Sequence, residues 1–116
     1  MKTYSITDTG ILREMNQDYF FASDEPVGSL PNLYIVADGM GGHNAGDFAS
    51  RYAVESFLEY VHASKQEALI RIVDEGIKYA NKKIIKKALE DPSLRGMGTT
   101  MVVAYIEDDQ LFVANV

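Results

Sequence analysis

The feature that most constrains this chain is an apolar run, Leu33 to Ala37, that leads directly into a glycine-rich loop opening with Asp38. Five consecutive apolar residues of largely β-branched and aromatic type predict a strand that is buried on both faces. Four glycines follow within residues 38–46. Because each glycine costs backbone entropy on folding, this loop predicts a place where the backbone approaches a ligand closely.

Asp38 is the first candidate for chemistry in this loop. A carboxylate at the end of a buried strand is costly unless a cation or hydrogen-bond donors meet it. Magnesium and manganese favour carboxylate, carbonyl and water oxygens, so Asp38 and the carbonyl of Gly39 are candidate metal ligands. The alternative is a tight strand-to-helix turn that Asp38 caps. A phosphate-binding P-loop does not fit, because residues 41–44 lack the required Gly-Lys-Ser or Gly-Lys-Thr.

Two further stretches are candidates for the same site. Arg13 to Asp18 combines a guanidinium suited to phosphate with a carboxylate at the start of an apolar strand. Taken alone, this hexamer favours a surface loop with an Asx turn at Asn16. Gly96 to Thr100 brings small residues into a strand, for which close packing is the favoured interpretation.

The order of predicted elements favours an α+β layered domain. The predicted strands cover 3–8, 18–23, 33–37, 99–106 and 111–116, with a hairpin turn at 107–110. A first helix is capped by Asn44 or Asp47 and ends near His62, which we expect to be exposed. A second helix, roughly 65–90, begins with a capping box at Ser64–Glu67 and ends before Pro92.

Composition excludes several classes of function. The chain of 116 residues has no cysteine, which excludes structural disulfides, cysteine–zinc sites and phosphatases with a thiolate nucleophile. The formal net charge of −6 lacks the basic footprint of a nucleic-acid-binding protein. The lysines at 82, 83, 86 and 87 are interpreted as a solvated helix face. Neither a signal peptide nor a membrane span is expected, and a cytoplasmic location is the default.

Together these stretches resemble the PP2C or PPM family of metal-dependent protein serine/threonine phosphatases, especially its bacterial branch. The resemblance implies a sandwich of two antiparallel β-sheets flanked by helices. It also implies that 1–116 is the N-terminal part of a single phosphatase domain and that the sandwich is here incomplete. The strings that carry it are Arg13–Asp18, Val36–His43, Gly46-Asp47, Gly98–Thr100 and Leu111–Val116.

The resemblance implies hydrolysis of phosphoserine and phosphothreonine in proteins by a water activated at a two-metal centre of Mn²⁺ or Mg²⁺. Asp38 would bridge the metals, Asp18 would act mainly through metal-bound water, and Gly39 would contribute its carbonyl. Arg13 would hold the substrate phosphate. The partner is then a phosphorylated protein, the product of a serine/threonine kinase.

Two departures from the family pattern bear on this expectation. Other branches carry a histidine at the position of Met40, so here either His43 or a metal-bound water would protonate the leaving alcohol. From the residues alone, His43 is favoured as a plain loop residue, with a proton donor as the alternative. The family's remaining metal aspartates lie downstream of position 116, so we expect these residues alone to be inactive. The competing hypothesis is a non-catalytic PP2C-like signalling or interaction module.

Overall fold

The structure, a computed structural model, describes residues 18–42 and 45–115. The predicted strand at 3–8, the expected roles of Arg13 and His43, and the predicted cap at Asn44 lie outside the described residues. The described elements are β1 (Asp18–Ser23), β2 (Leu33–Met40), α1 (Ala45–Ala63), α2 (Leu69–Glu90), a 3₁₀ turn (Pro92–Leu94), β3 (Gly98–Glu107) and β4 (Gln110–Asn115).

The four strands form one antiparallel sheet in the order β1-β2-β3-β4. Each predicted strand within the described residues is confirmed, and β2 continues three residues further than predicted, through Asp38 to Met40. The continuation occurs because Asp38, Gly39 and Met40 pair with Thr100, Thr99 and Gly98 of β3. The first glycines of the loop therefore belong to the sheet.

The predicted hairpin between β3 and β4 is confirmed as a two-residue turn. Glu107 pairs with Gln110, and the residues between them, Asp108 and Asp109, have φ angles of 52° and 64°. Positive φ at both central positions matches the right-handed twist of the flanking strands. Aspartate tolerates this region better than most residues, although glycine does so more easily.

Replacing Asp109 by glycine is expected to stabilise the hairpin. The substitution removes the steric cost of a side chain at φ 64°. Glycine's greater entropic cost offsets part of this relief, so the free energy of unfolding should rise by about 0.5 kcal/mol. Urea unfolding of both variants measures this difference. Asp109→Val should instead destabilise, and equal stability of all three proteins would contradict the assigned turn.

Both helices lie on one face of the sheet. Helix α1 packs on β1, β2 and β3, while α2 packs mainly on α1. The side of β2 that faces α1 presents Leu33, Ile35 and Ala37, each at most 1% exposed. The largest fully buried side chain is Phe57 of α1. The core therefore lies between the sheet and α1, and α2 closes it from outside.

The opposite face of the sheet is exposed among the described residues, so the prediction that β2 is buried on both faces is wrong for this part of the chain. Val36 is 54% exposed. The physical reason is that α1 and α2 both cover the other side. An apolar face left uncovered is what one layer of the expected sandwich presents without its partner. Its exposed apolar side chains are Phe20, Val36, Met40, Val102, Leu111 and Val113.

Two predicted helix caps are wrong. Helix α2 begins at Leu69, and its N-cap residue, Ala68, makes no side-chain capping bond. The predicted capping box fails because its side chains bond within the preceding loop: Ser64 Oγ accepts from the Gln66 amide at 3.1 Å, and Gln66 Oε1 accepts from the amides of Glu67 and Ala68. Asp47 is no cap either, since it lies inside the first turn of α1.

The remaining helix predictions are confirmed. His62 is exposed in the last turn of α1. Helix α2 ends at Glu90, and Pro92 opens the 3₁₀ turn that follows. No helix within the described residues is both long enough and apolar enough to cross a membrane.

Candidate metal centre

Asp18 and Asp38 lie side by side at one end of the sheet. They are directly opposite each other in the β1–β2 register, and Asp38 is also opposite Thr100 in the β2–β3 register. Side chains at paired positions of antiparallel strands point to the same face with Cα atoms about 4.5–5.5 Å apart. The three side chains thus form a row across three strands, on the face that the helices leave uncovered.

The pairing of two carboxylates is electrostatically unfavourable. Like charges directly opposite each other destabilise a sheet. Asp38 is exposed and Asp18 is half-buried, so a cation could reach both. A divalent ion between them would turn their repulsion into attraction, as carboxylate clusters do when they hold magnesium or manganese. The arrangement suits a hard cation better than a neutral ligand.

The backbone after Asp38 is packed too closely for larger residues. Gly41 has a φ of +145°, and a Cβ built on it would lie 2.9 Å from Cβ of Ala45 and 3.3 Å from Cα of Met97. The amide of Ala45 donates to the carbonyl of Gly42 at 2.9 Å, which fixes the entry into α1. Gly39, the expected carbonyl ligand, is buried and paired with Thr99. The turn therefore holds the end of β2 firmly against α1 and the start of β3.

The structure brings together part of the expected site. Asp18, Asp38 and Gly39 lie at one sheet end, while Arg13 and His43 fall outside the described residues. Within 18–42 and 45–115, no group of three or more histidine, aspartate or glutamate side chains is arranged to hold a metal. Within the described part of the chain, the candidate metal centre therefore contains two acidic side chains, Asp18 and Asp38.

Sequence reasoning missed Thr100. Its strand was predicted, but packing was the favoured interpretation of the small residues around it. The register instead puts its side chain beside Asp38, whereas Thr99 lies on the opposite face and donates its own hydroxyl to the carbonyl of Thr100 at 2.8 Å. The signal that could have found it is the period of two, which places alternate residues of β3 on the face of Asp38.

The chain matches a known protein family. The family model described as Protein phosphatase 2C matches residues 12–116, which is nearly the whole chain. The chain belongs to the protein phosphatase 2C family. The match includes the row formed by Asp18, Asp38 and Thr100.

Relatives that the chain matches are bacterial protein phosphatases. The chain is 37% identical over 117 residues to serine/threonine phosphatase Stp of Listeria innocua, and this match covers 95% of the chain and 44% of the relative. It is 36% identical over 120 residues to protein phosphatase PhpP of Streptococcus pneumoniae, covering 100% of the chain and 47% of the relative. The chain thus spans a little under half the length of these relatives.

Solved structures of the same family share the fold. Serine/threonine phosphatase Stp1 of Staphylococcus aureus superposes with a TM-score of 0.77 at 30% identity, covering 96% of this chain and 44% of that one. The catalytic domain of PstP, solved in complex with two manganese ions, superposes with a TM-score of 0.72 at 26% identity, covering 91% of this chain and 43% of that one. The predicted α+β fold of this family is confirmed for the described part.

Proposed function

We propose that these residues form the N-terminal part of a single phosphatase domain that hydrolyses phosphoserine and phosphothreonine in proteins. The observation that carries the proposal is the register pair of Asp18 and Asp38, which sets two carboxylates side by side on an open sheet face. Family membership supplies the reaction class, since Stp of Listeria innocua and PstP of Mycobacterium tuberculosis are serine/threonine phosphatases. The substrate is a phosphorylated protein, and the kinase that makes it acts on serine or threonine.

The residues present fit a manganese or magnesium centre with two ions. Oxygen donors and a pair of carboxylates that repel each other are the donor set that these hard cations prefer. Asp38 and Asp18 would hold the ions with the Gly39 carbonyl, and the PstP domain, which carries two manganese ions, supports that number. Bound cations of this kind lower the pKa of water and neutralise phosphate charge.

The chain's own residues would position the reactants. Asp38 and Asp18 fix the place of the positive charge at the sheet end, and the closely packed turn around Gly41 limits how far Asp38 can move. Arg13 would orient the phosphate through its planar donors, and His43 would hold the proton for the leaving alcohol. We expect residues 1–116 alone to be inactive, because the metal centre needs further carboxylates. We also propose that the natural protein acts in the cytoplasm.

The test is hydrolysis of a phosphothreonine peptide by the natural protein, including any sequence that follows residue 116. We expect phosphate release with Mn²⁺ and none with a chelator. A folded protein that binds Mn²⁺ but releases no phosphate from any phosphopeptide would favour the alternative, a non-catalytic signalling or interaction module. Residues 1–116 produced alone should release phosphate far more slowly than the natural protein.

Removing the hydroxyl of Thr100 should weaken metal binding. Thr100→Val keeps the shape of the side chain but removes the hydroxyl that the register places beside Asp38. Loss of an outer-shell partner weakens metal affinity by roughly 10–100-fold. Calorimetric titration of the natural protein with Mn²⁺ measures this directly, independently of turnover. Thr100→Ser should retain affinity, and Thr99→Val, on the opposite face, should change it little; equal losses in both valine variants would contradict the assignment.

A further inference from the structure

Four lysines form a basic surface on α2 that the proposed reaction does not use. We call Lys82, Lys83, Lys86 and Lys87 the lysine face. The chain has seventeen acidic residues against eleven lysines and arginines. Four of those eleven basic residues, more than a third, lie within residues 82–87. A local excess of positive charge on an acidic protein attracts acidic partners by complementarity.

Aromatic rings support two of these lysines. Lys83 Nζ lies 5.9 Å from the ring centroid of Tyr52 and 5.7 Å from that of Tyr79, and Lys87 Nζ lies 5.7 Å from Tyr52. Tyr52 is itself stacked on Phe48 at a centroid distance of 5.1 Å. Contact with the rings restricts both lysine side chains, so less conformational entropy is lost when a ligand binds them.

The amine of Lys83 also stays charged well beyond neutral pH. Its pKa is raised, chiefly by Tyr52 and then by Tyr79. Both residues of the lysine face that contact α1 are therefore restrained cations.

The other two lysines are available to a partner. Lys82 and Lys86 are exposed, and neither makes an ion pair among the described residues, where the two salt bridges are Arg51–Glu55 and Lys78–Asp74. An exposed ammonium group without an ion-pair partner breaks no salt bridge when it binds a carboxylate, so binding costs little free energy. The lysine face thus combines two restrained cations with two unengaged ones.

Most acidic side chains near the lysine face already have partners. Glu55 pairs with Arg51 at 3.8 Å, Glu59 accepts from the Tyr79 hydroxyl at 2.5 Å, and Asp91 accepts from Ser93. Hydrogen bonds from Ser93 lower the pKa of Asp91, so that carboxylate is ionised and engaged locally. These carboxylates keep their charge: Glu59 helps to raise the pKa of Lys83, and Lys87 helps to lower the pKa of Asp91, so these two lysines are partly neutralised. Lys82 and Lys86 therefore carry most of the attraction for an acidic partner.

The chain topology puts the lysine face at the end of the molecule that carries Asp38. The loop after Met40 leads into α1, and Phe48 and Tyr52 lie in its first two turns. The C-terminal half of α2 leads through the 3₁₀ turn to Gly98, which pairs with Met40. Seven residues of α1 separate its start from Tyr52, a rise of about 10 Å. Ile84 and Ile85 of α2 line one cavity together with Met40 and Gly98, so this half of α2 lies beside the end of β2 that carries Asp38.

We propose that the lysine face binds an acidic segment of the phosphoprotein substrate that lies apart from the phosphorylated side chain. This inference rests on the proposed function for the identity of the partner. It deepens that function by naming a substrate class, phosphoproteins with a cluster of aspartates or glutamates outside the phosphorylated site. The lysine face contributes affinity and rate of encounter, while the chemistry stays at Asp38 and Asp18.

The first test measures binding without hydrolysis. Fluorescence anisotropy of the natural protein is followed with a labelled, unphosphorylated peptide of six glutamates and with its six-glutamine counterpart. We expect the acidic peptide to bind more tightly and to lose affinity as salt rises. The double variant Lys82→Glu, Lys86→Glu should weaken its binding about tenfold, since charge reversal at an interface adds repulsion to the lost attraction.

A matched control separates the lysine face from net charge. Lys65→Glu with Lys78→Glu changes the total charge equally, but Lys65 lies before α2 and Lys78 is paired with Asp74. This control variant should bind the acidic peptide like the unaltered protein. Equal weakening in both double variants would overturn the proposal. So would equally tight binding of a single-stranded oligonucleotide of the same charge, because the surface would then attract polyanions in general.

Kinetics distinguish failure of this inference from failure of the proposed function. We expect Lys82→Glu, Lys86→Glu to lower kcat/KM for an acidic phosphopeptide about tenfold, to spare a neutral one, and to leave hydrolysis of p-nitrophenyl phosphate unchanged. Hydrolysis without preference for acidic peptides would overturn the docking surface and leave the phosphatase standing. Binding of acidic peptides through the lysines without any hydrolysis would overturn the phosphatase and leave the surface standing.

Discussion

Asp38→Asn is expected to abolish Mn²⁺-dependent phosphate release by the natural protein. The substitution keeps the size of the side chain but removes the charge that the cation needs. The loss should exceed about 100-fold, because removing an outer-shell partner alone costs roughly 10–100-fold in activity or affinity. Phosphopeptide hydrolysis at saturating substrate measures it. Asp108→Asn, which removes the same charge at the far end of the sheet, is the matched control and should stay active.

The same variant separates a metal role from a structural one. Asp38 and Asp18 repel each other across the register, so Asp38→Asn should leave the metal-free protein at least as stable as before. Mn²⁺ at 100 times its Kd raises the stability of the unaltered protein by about 2.7 kcal/mol, and this increase should disappear in the variant. Thermal unfolding with and without Mn²⁺ measures both effects. A variant that unfolds at much lower temperature without metal would show that Asp38 acts in folding.

The sequence could predict those residues of the candidate site that lie directly beside an apolar run. Asp38 and Gly39 follow an apolar run, and Asp18 starts another, so resemblance and strand patterning identify all three. The row that joins Asp18, Asp38 and Thr100 depends on strand register, which pairs residues far apart in the chain. Thr100 was missed for this reason, since a threonine at the start of a β-branched strand is ordinary by itself.

The errors in the fold have the same origin. The apolar run of β2 predicted burial on both faces, yet its second face is exposed because the layer that would cover it is not among the described residues. Ser64 to Glu67 fits a capping box as a pattern, but the Ser64 hydroxyl and the Gln66 amide oxygen have closer amide donors inside the loop. Local propensity is decided by tertiary context in both cases.

Phe57→Ala is expected to destabilise the domain more than any other single truncation in the helix layer. Phe57 is fully buried and is the largest such side chain in the described residues. Truncating a buried phenylalanine costs about 3–5 kcal/mol in the free energy of unfolding, a large part of the ~5–15 kcal/mol that holds a typical domain together. Urea unfolding measures the loss. Leu89→Ala, at a side chain 83% exposed on α2, should cost less than about 0.5 kcal/mol.

The contact between Phe57 and Gly76 explains why α2 carries a glycine in its interior. Glycine there normally costs about 0.5–1 kcal/mol relative to alanine. A Cβ on Gly76, however, would lie 2.8 Å from Cε1 and 2.9 Å from Cδ1 of Phe57. Since the ring is fully buried and cannot yield, Gly76→Ala should destabilise instead of stabilising.

A double-mutant cycle isolates this contact. With the ring removed, the new methyl group has room, so Gly76→Ala should stabilise the Phe57→Ala protein by the helix-propensity gain of about 0.5–1 kcal/mol. The sign of the same substitution thus reverses between the two backgrounds, which gives a coupling energy of more than about 1 kcal/mol. Additive effects would mean that α1 and α2 do not meet at this pair. A reversal would establish that the ring of Phe57 sets how closely the two helices pack, and with them the turns that lead from α1 and α2 to Asp38 and Thr100.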